Sequence, residues 1–338
     1  MVDALWFGEK PHSRSLFMTV RDQAMAIRNT FNLDVPVEVL TAGFSDINNP
    51  FIPKRNDGYV FRRETLRDIL SFLDDPDGDG LYFSGHYGAG KTTLPYQVAS
   101  RLNWPVQSFT AHSRMEFDDL VGTWKLVNGS MEFVYGPLSI AMRDGHLFIL
   151  NEIDRADPGQ LAALHDVLEG HPLVIATNGG EIIHAHENFR FIVNGNSLGS
   201  GDSTGLYQGV NQLDIAFLDR FRMVEVDYPT EDVELMILEQ KTPELPEEIR
   251  RNMVRVANQI RRLFIGGEES ATPLTVTMST RTLCRWAKLS LSFRNAPNAL
   301  AYALKQSLTA KAEPEQRIAI EQIAKDVFGS NWTQGDTQ

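Results

Sequence analysis

The sequence predicts a three-layer α/β domain with a mostly parallel sheet, followed by an all-helical region. Between Tyr59 and about Tyr228, short apolar runs alternate with stretches of helical periodicity, the pattern of strands covered on both faces by crossover helices. A glycine-rich run ending in Lys91-Thr92 stands between a strand pattern and a helix pattern. After Pro229 the strand pattern stops and helical spacing takes over.

The elements follow in order. Residues 1–56 are a mixed N-terminal segment, with a short helix expected from Arg21 to Phe31 and an extended connector from Asn48 to Pro53, where two prolines disfavour helix. Core strands are expected at Leu81–Ser84, Val106–Phe109, Leu147–Leu150, Phe191–Asn194 and Met223–Asp227. Two hairpins interrupt them: Thr123–Val127 with Ser130–Tyr135, and Leu173–Thr177 with Glu181–Ala185. Each pair flanks an Asn-Gly, which supplies the positive φ angles of a tight turn. Asp157-Pro158 opens a helix, with Asp as cap and Pro at the first position, and Gly170 ends it.

Beyond Pro229, Thr230 caps a helix whose first turn holds Glu231, Asp232 and Glu234, the sign that the helix dipole favours. The next helix starts near Glu247 and places Ile249, Met253, Val256, Ile260 and Leu263 on one face. Arg250, Arg251, Arg255, Arg261 and Arg262 cover the rest, read as a solvated face in preference to a nucleic-acid stripe. Further helices are expected at 281–293, 297–307 and 314–327. The expected division is an N-terminal segment 1–56, an α/β core 57–228, a helical region 229–330 and a frayed tail 331–338.

Composition narrows the function. Apolar residues at 42% and charged residues at 22% are ordinary for a globular chain, which excludes wholesale disorder. The net charge of -12 argues against a nucleic-acid partner. A single cysteine, Cys284, rules out an intrachain disulfide and a zinc ribbon, and fits a reducing cytosol; it reads as a lid-core residue. Apolar runs such as Leu147–Leu150 fall far short of the about 20 residues needed to span a bilayer. Met1–Lys10 has no signal-peptide h-region, so a cytoplasmic protein without membrane attachment is expected.

The chemistry starts at Gly85, His86, Tyr87, Gly88, Ala89, Gly90, Lys91 and Thr92, which satisfy G-x-x-x-x-G-K-[ST]; Thr93 follows at the helix start. Glycines let backbone N–H groups wrap a polyphosphate, and the following helix points its positive end at the anion. Lys91 supplies a point charge to the phosphates, and the Thr92 hydroxyl can ligate Mg²⁺. Pro95 removes a helical hydrogen bond, tolerable near the first turn.

A second signal is His146-Leu-Phe-Ile-Leu150 running into Asn151-Glu152-Ile153-Asp154. Glu152 stands where a carboxylate can polarise an attacking water; the alternative is a charged residue at a strand end. Asn151 occupies the position where a P-loop hydrolase usually has an acid. Its amide oxygen can accept from magnesium-bound water but lacks a carboxylate's charge, and Asp154 is placed to replace part of it.

With these residues in place the chain resembles AAA+ ATPases, and among them the MoxR branch, whose inserted hairpins match the two above. Phe189-Arg-Phe-Ile-Val-Asn-Gly-Asn196 is similar to the sensor-1 strand, which implies that Asn196 sits near the γ-phosphate and water. Leu218-Asp219-Arg220-Phe221 resembles the segment with the arginine finger, and Met278-Ser-Thr-Arg281 the sensor-2 motif that opens a lid helix. The plainer reading of Arg220 is an ion pair with Asp219. Arg281, a cation at a helix start, opposes the dipole unless a phosphate lies nearby.

Several phrases are similar to the CobS-like small subunits of aerobic cobaltochelatases: Arg101-Leu-Asn-Trp-Pro105, Gly201–Gly209, Met253–Ala257, Met278–Leu283 with Trp286, and Phe31–Pro36. That pattern has Asp-Glu where this chain has Asn151-Glu152. The resemblance implies a fold with an AAA+ P-loop α/β/α core, two inserted hairpins and a helical lid. It further implies ATP and Mg²⁺ as cofactors, a homo-oligomeric, hexameric ring, a protein client and a CobT-like partner with a VWA domain. A MoxR-type chaperone or activase without a chelatase role, a nucleotide switch slowed by Asn151, and a nucleic-acid motor are the alternatives. Trp124, Phe133 and Tyr135 are open between cross-strand packing and client contact. His184 and His186, two apart, read as surface histidines, since a metal site needs three or four ligands.

Overall fold

The structure, a computed structural model, describes residues 21–35, 39–197, 210–265 and 274–332. Its centre is a wholly parallel five-stranded sheet of β1 (Gly80–Ser84), β2 (Val106–Thr110), β3 (Leu147–Asn151), β4 (Arg190–Asn194) and β5 (Phe221–Glu225), in the order β5-β1-β4-β3-β2. Every residue of β1, β3 and β4 is buried, which is why these strands read as continuous apolar runs. Successive side chains enter opposite layers. Leu81, Phe83, Leu147, Ile149 and Ile192 pack with α1 (Arg63–Asp74) and α2 (Thr93–Leu102). Tyr82, Phe148, Leu150, Phe191 and Val193 face the other layer, built from short helices such as Phe117–Val121 and Pro137–Asp144.

Expected and observed elements differ where tertiary contacts intervene. The Arg21–Phe31 stretch is not one helix: Gln23–Ala26 pairs antiparallel with Leu40–Gly43, and Ile27–Phe31 alone is helical. Strand β5 begins two residues earlier than expected, because Phe221 pairs with Gly80, where an added Cβ would lie 2.6 Å from the phenyl ring. The Asp157–Gly170 helix tightens to 3₁₀ at Ala162–Leu164. That pitch of three residues per turn aligns Leu161, Leu164 and Val167, all buried at three-residue spacing.

The first hairpin, Gly122–Val127 with Ser130–Tyr135, turns at Asn128 (φ 49) and Gly129 (φ 88), as its dipeptide demands. The second is shorter than expected. Its strands end at Ile175 and Ile183, and the Gly180 N–H closes the loop on the Ile175 carbonyl at 3.1 Å. Trp124 and Phe133 pack edge to face (5.8 Å), as do Phe133 and Tyr135 (5.2 Å). Trp124 Nε1 also donates to the Thr177 carbonyl at 2.9 Å, bracing one hairpin on the other. His184 is exposed, and His186 Nδ1 accepts from the Asn188 N–H at 3.1 Å as a turn residue.

The helical region consists of α3 (Glu231–Lys241), α4 (Glu247–Ile265), α5 (Thr280–Ser292), α6 (Ala299–Ser307) and α7 (Pro314–Phe328), around Met253, Val256, Ile260, Leu283 and Trp286. Two of the α4 arginines are not solvated. Arg250 and Arg261 are buried, since α3 covers that side of the helix, and Arg261 forms a two-pronged pair with the fully buried Glu234 (2.7 Å each). Thr230 stands before α3 without a side-chain cap bond. The tail expected to fray from 331 is still packed at Trp332, which is buried against Phe328. Among the described residues no helix is long and apolar enough to cross a membrane.

Candidate active site

A cleft of about 410 Å³ opens where the loop after β1, the ends of β3 and β4, the segment before α1, and helices α3 and α5 meet. Parallel strands end here together, the usual place for a ligand in an open α/β sheet. Gly88 and Gly90 of the loop both have positive φ (76° and 106°). At Gly88 an added Cβ would lie 2.2 Å from the Ser279 Cβ, so the helical region presses directly on the loop. At Gly90, which lines the cleft, an added Cβ would meet no protein atom within 4 Å. The loop is open to the cleft at this point, and its positive-φ glycines fit a phosphate cradle.

Lys91 is 7% exposed, and its Nζ donates to the carbonyls of Gly85 (2.5 Å) and His86 (2.9 Å) and to Asn196 Oδ1 (3.1 Å). Burial pushes its pKa down to about 8, opposed by the charges of Asp154 and Glu152. A cation held by neutral oxygens is a suitable partner for a polyanion. Thr92 is exposed on the cleft and does not cap α2, while Thr93 begins that helix with its positive end toward the loop. Pro95 is the third residue of α2, where an N–H would have no intrahelical partner, so its cost is small. His86, by contrast, turns away from the cleft and stacks on Tyr228 (6.0 Å, 5° between planes).

The neighbouring strands β3 and β4 end in two amides. Asn194 Nδ2 donates to Asn151 Oδ1 at 2.8 Å, Asn151 Nδ2 reaches the Phe109 carbonyl at 3.4 Å, and Asn194 Oδ1 accepts from the Glu152 N–H at 3.2 Å. Asn151 is thus buried behind the wall, whereas Glu152, Asn194, Gly195 and Asn196 line it. Glu152 sits in the left-handed region (φ 53), an uncommon conformation for a residue with a side chain, and its carboxylate pairs with Arg155 at 2.9 Å. The Asn196 N–H donates to Asp154 Oδ2 at 2.7 Å.

Arg281, the second residue of α5, lines the same cleft beside Thr280. Arg220 does not: it forms an ion pair with Glu169, not Asp219, and a hydrogen bond to the Ala216 carbonyl. The cleft therefore gathers Lys91, Thr92, Glu152, Asn196 and Arg281 and leaves Arg220 outside it. Sequence reasoning missed Asn194, and also the far end of the cleft, where Asn56, Tyr59 and Arg62 face Val233, Ile237 and Lys241. Cys284 packs against the core of the helical region, as expected, and also lines the cleft; burial pushes its thiol pKa up to about 11. The Gly201–Gly209 phrase lies outside the described residues.

Fold and cleft together define a P-loop nucleotide-binding protein of the AAA type. Residues 80–221 match the AAA domain (dynein-related subfamily), and residues 234–327 match the CbbQ/NirQ/NorQ C-terminal family. The chain is 30% identical over 317 residues to the aerobic cobaltochelatase subunit CobS of Sinorhizobium sp, covering 91% of both chains. It is 25% identical over 292 residues to protein NorQ of Paracoccus denitrificans, covering 86% of this chain and 98% of that one. A RuvB mutant from Thermotoga maritima superposes with a TM-score of 0.48 at 15% identity, over 75% of this chain and 73% of that one. The chain belongs to the MoxR-type AAA+ ATPases, with CobS among its relatives.

Proposed function

We propose that the protein is an ATP-hydrolysing ring motor that remodels a protein client. Its finer assignment is CobS-like metal-chelatase or metalloenzyme-maturation work with a VWA-domain partner. The observation that carries the motor reading is the convergence of Lys91, Thr92, Glu152, Asn196 and Arg281 on one cleft shared by the α/β core and the helical region. Likeness to a cobaltochelatase subunit over 91% of the chain supports the finer assignment.

In this reading the loop N–H groups and Lys91 hold the triphosphate of ATP, the substrate. Glu152 takes a proton from the attacking water as the new P–O bond forms and the bond to the β-phosphate oxygen breaks. Asn196 orients that water. Arg281 offsets charge developing on the transferred phosphoryl group, and Arg220 does so from a neighbouring protomer, the ring being the assembly that would bring it there. Thr92 would hold Mg²⁺ directly, the ion supplying charge neutralisation at the phosphates. Asn151, expected to reach the ion through water, is buried behind the cleft wall with its Oδ1 on Asn194, so the site lacks an acid at that position and is the weaker for it.

The test is steady-state phosphate release by the purified protein beside Glu152→Gln. Turnover at least about 100-fold above the variant is expected. The Asn151–Asn194 amide pair favours a second reading, a switch that binds ATP and barely hydrolyses it; equal rates in the two proteins would decide for the switch.

A further inference from the structure

Asp154 is wholly buried, yet its Oδ1 has no hydrogen-bond partner among the described residues. Leaving a buried carboxylate oxygen unmatched is costly. Glu234, equally buried, shows the usual remedy, with both oxygens on Arg261. What Asp154 does hold is the turn after β4: its Oδ2 accepts from the Asn196 N–H at 2.7 Å.

That turn rests on a platform of two side chains. An added Cβ at Gly195 would lie 2.2 Å from the Tyr82 hydroxyl and 3.5 Å from the Asp154 Cγ, so the backbone sits directly on both. The Tyr82 hydroxyl donates to the Ser197 carbonyl at 3.0 Å, and the Gly195 N–H to the Phe83 carbonyl at 3.0 Å. On the cleft side the same turn sends Asn196 Oδ1 to Lys91 Nζ at 3.1 Å. Asp154 also ties down residues further along the chain, its carbonyl accepting from the Asn211 N–H at 2.6 Å.

We propose that Asp154 is a positioning residue for ATP hydrolysis: its buried carboxylate fixes the turn that presents the Asn196 amide to the phosphate end of the cleft. The inference rests on the reading of that cleft as a hydrolytic site. The role is one of geometry. An asparagine at 154 keeps an oxygen for the Asn196 N–H and loses the charge, whereas alanine loses both.

Three variants are compared with the wild type for kcat, KM for ATP and thermal midpoint. Asp154→Ala is expected to lose about 10- to 100-fold in kcat while KM moves less than about 3-fold, the signature of a misplaced group at the reacting centre. Asp154→Asn should rescue most of that loss. Tyr82→Phe, which removes only the Ser197 anchor, should lower kcat in the same sense by a smaller factor; it decides the matter if Asp154→Ala does not fold. Unchanged kcat in both Asp154→Ala and Tyr82→Phe overturns the proposal, and so does an asparagine variant as slow as alanine. If the wild type turns over no faster than Glu152→Gln, the hydrolytic reading fails instead. Affinity for ADP–aluminium fluoride then reads the positioning, falling for alanine and holding for asparagine if Asp154 acts as proposed, and falling equally for both if it does not.

Discussion

Lys91 shows how far one residue's surroundings set its chemistry. Burial holds the ammonium near a pKa of about 8, and a bound polyphosphate favours the charged form. Below pH 8 the lysine is already protonated and binding draws in no proton. Above it, binding must restore the proton, so nucleotide affinity falls as pH rises, by up to about tenfold per unit. Calorimetry at pH 9 in buffers of different ionisation enthalpy should register this proton uptake, and Lys91→Met should abolish it. An affinity independent of pH between 7 and 9 would contradict a lowered Lys91 pKa. Lys91 was legible in the sequence because its motif is contiguous. Asn194 was not: it is one polar residue at the end of an apolar strand, and its role exists only because β4 lies beside β3 and brings it to Asn151.

At the scale of elements, α3 and α4 are joined by the Glu234–Arg261 pair, which also binds α5: Arg261 Nε donates to the Met278 carbonyl (2.7 Å), and the Thr280 hydroxyl to Glu234 Oε1 (2.8 Å). The guanidinium lies 4.4 Å over the Tyr228 ring, and the Tyr228 hydroxyl reaches the Tyr87 carbonyl of the loop at 2.9 Å. Arg261→Met is expected to destabilise the fold by about 3–5 kcal/mol, because it strands Glu234 without a counter-charge, and this shows as a lowered denaturant midpoint. The double replacement Arg261→Met with Glu234→Leu should recover most of the loss, since apolar groups of similar volume can replace a buried pair. A double variant no more stable than the single one would place the cost elsewhere. Helical periodicity located α4 correctly and misjudged Arg261, because periodicity reports an apolar stripe and cannot see a charged partner supplied by another helix.

For the whole molecule, Glu152 and Arg220 are separated within one chain, the first on the cleft and the second held by Glu169. If a site is completed by a neighbour's arginine, two inactive variants should complement each other. A mixture of Glu152→Gln and Arg220→Ala protomers in equal amounts completes about a quarter of its sites by chance, each from the carboxylate of one protomer and the arginine of the next. ATPase assays of the mixture should show activity that neither variant shows alone. Activity no higher than the sum of the two would count against a site shared between protomers.

The sequence alone determined what depends on neighbours along the chain. The phosphate loop is one uninterrupted motif, the buried strands are runs of apolar residues, and the first hairpin is specified by Asn128-Gly129. Only the tertiary structure decided what depends on residues far apart. It split the expected first helix by offering Gln23–Ala26 a partner at Leu40–Gly43, it buried Arg261 against Glu234, and it set Asp154 beneath Gly195 and Asn196. A local pattern records which conformation a segment prefers, whereas the pairing of a buried charge or an unmatched strand edge is settled by whatever the rest of the fold brings alongside it.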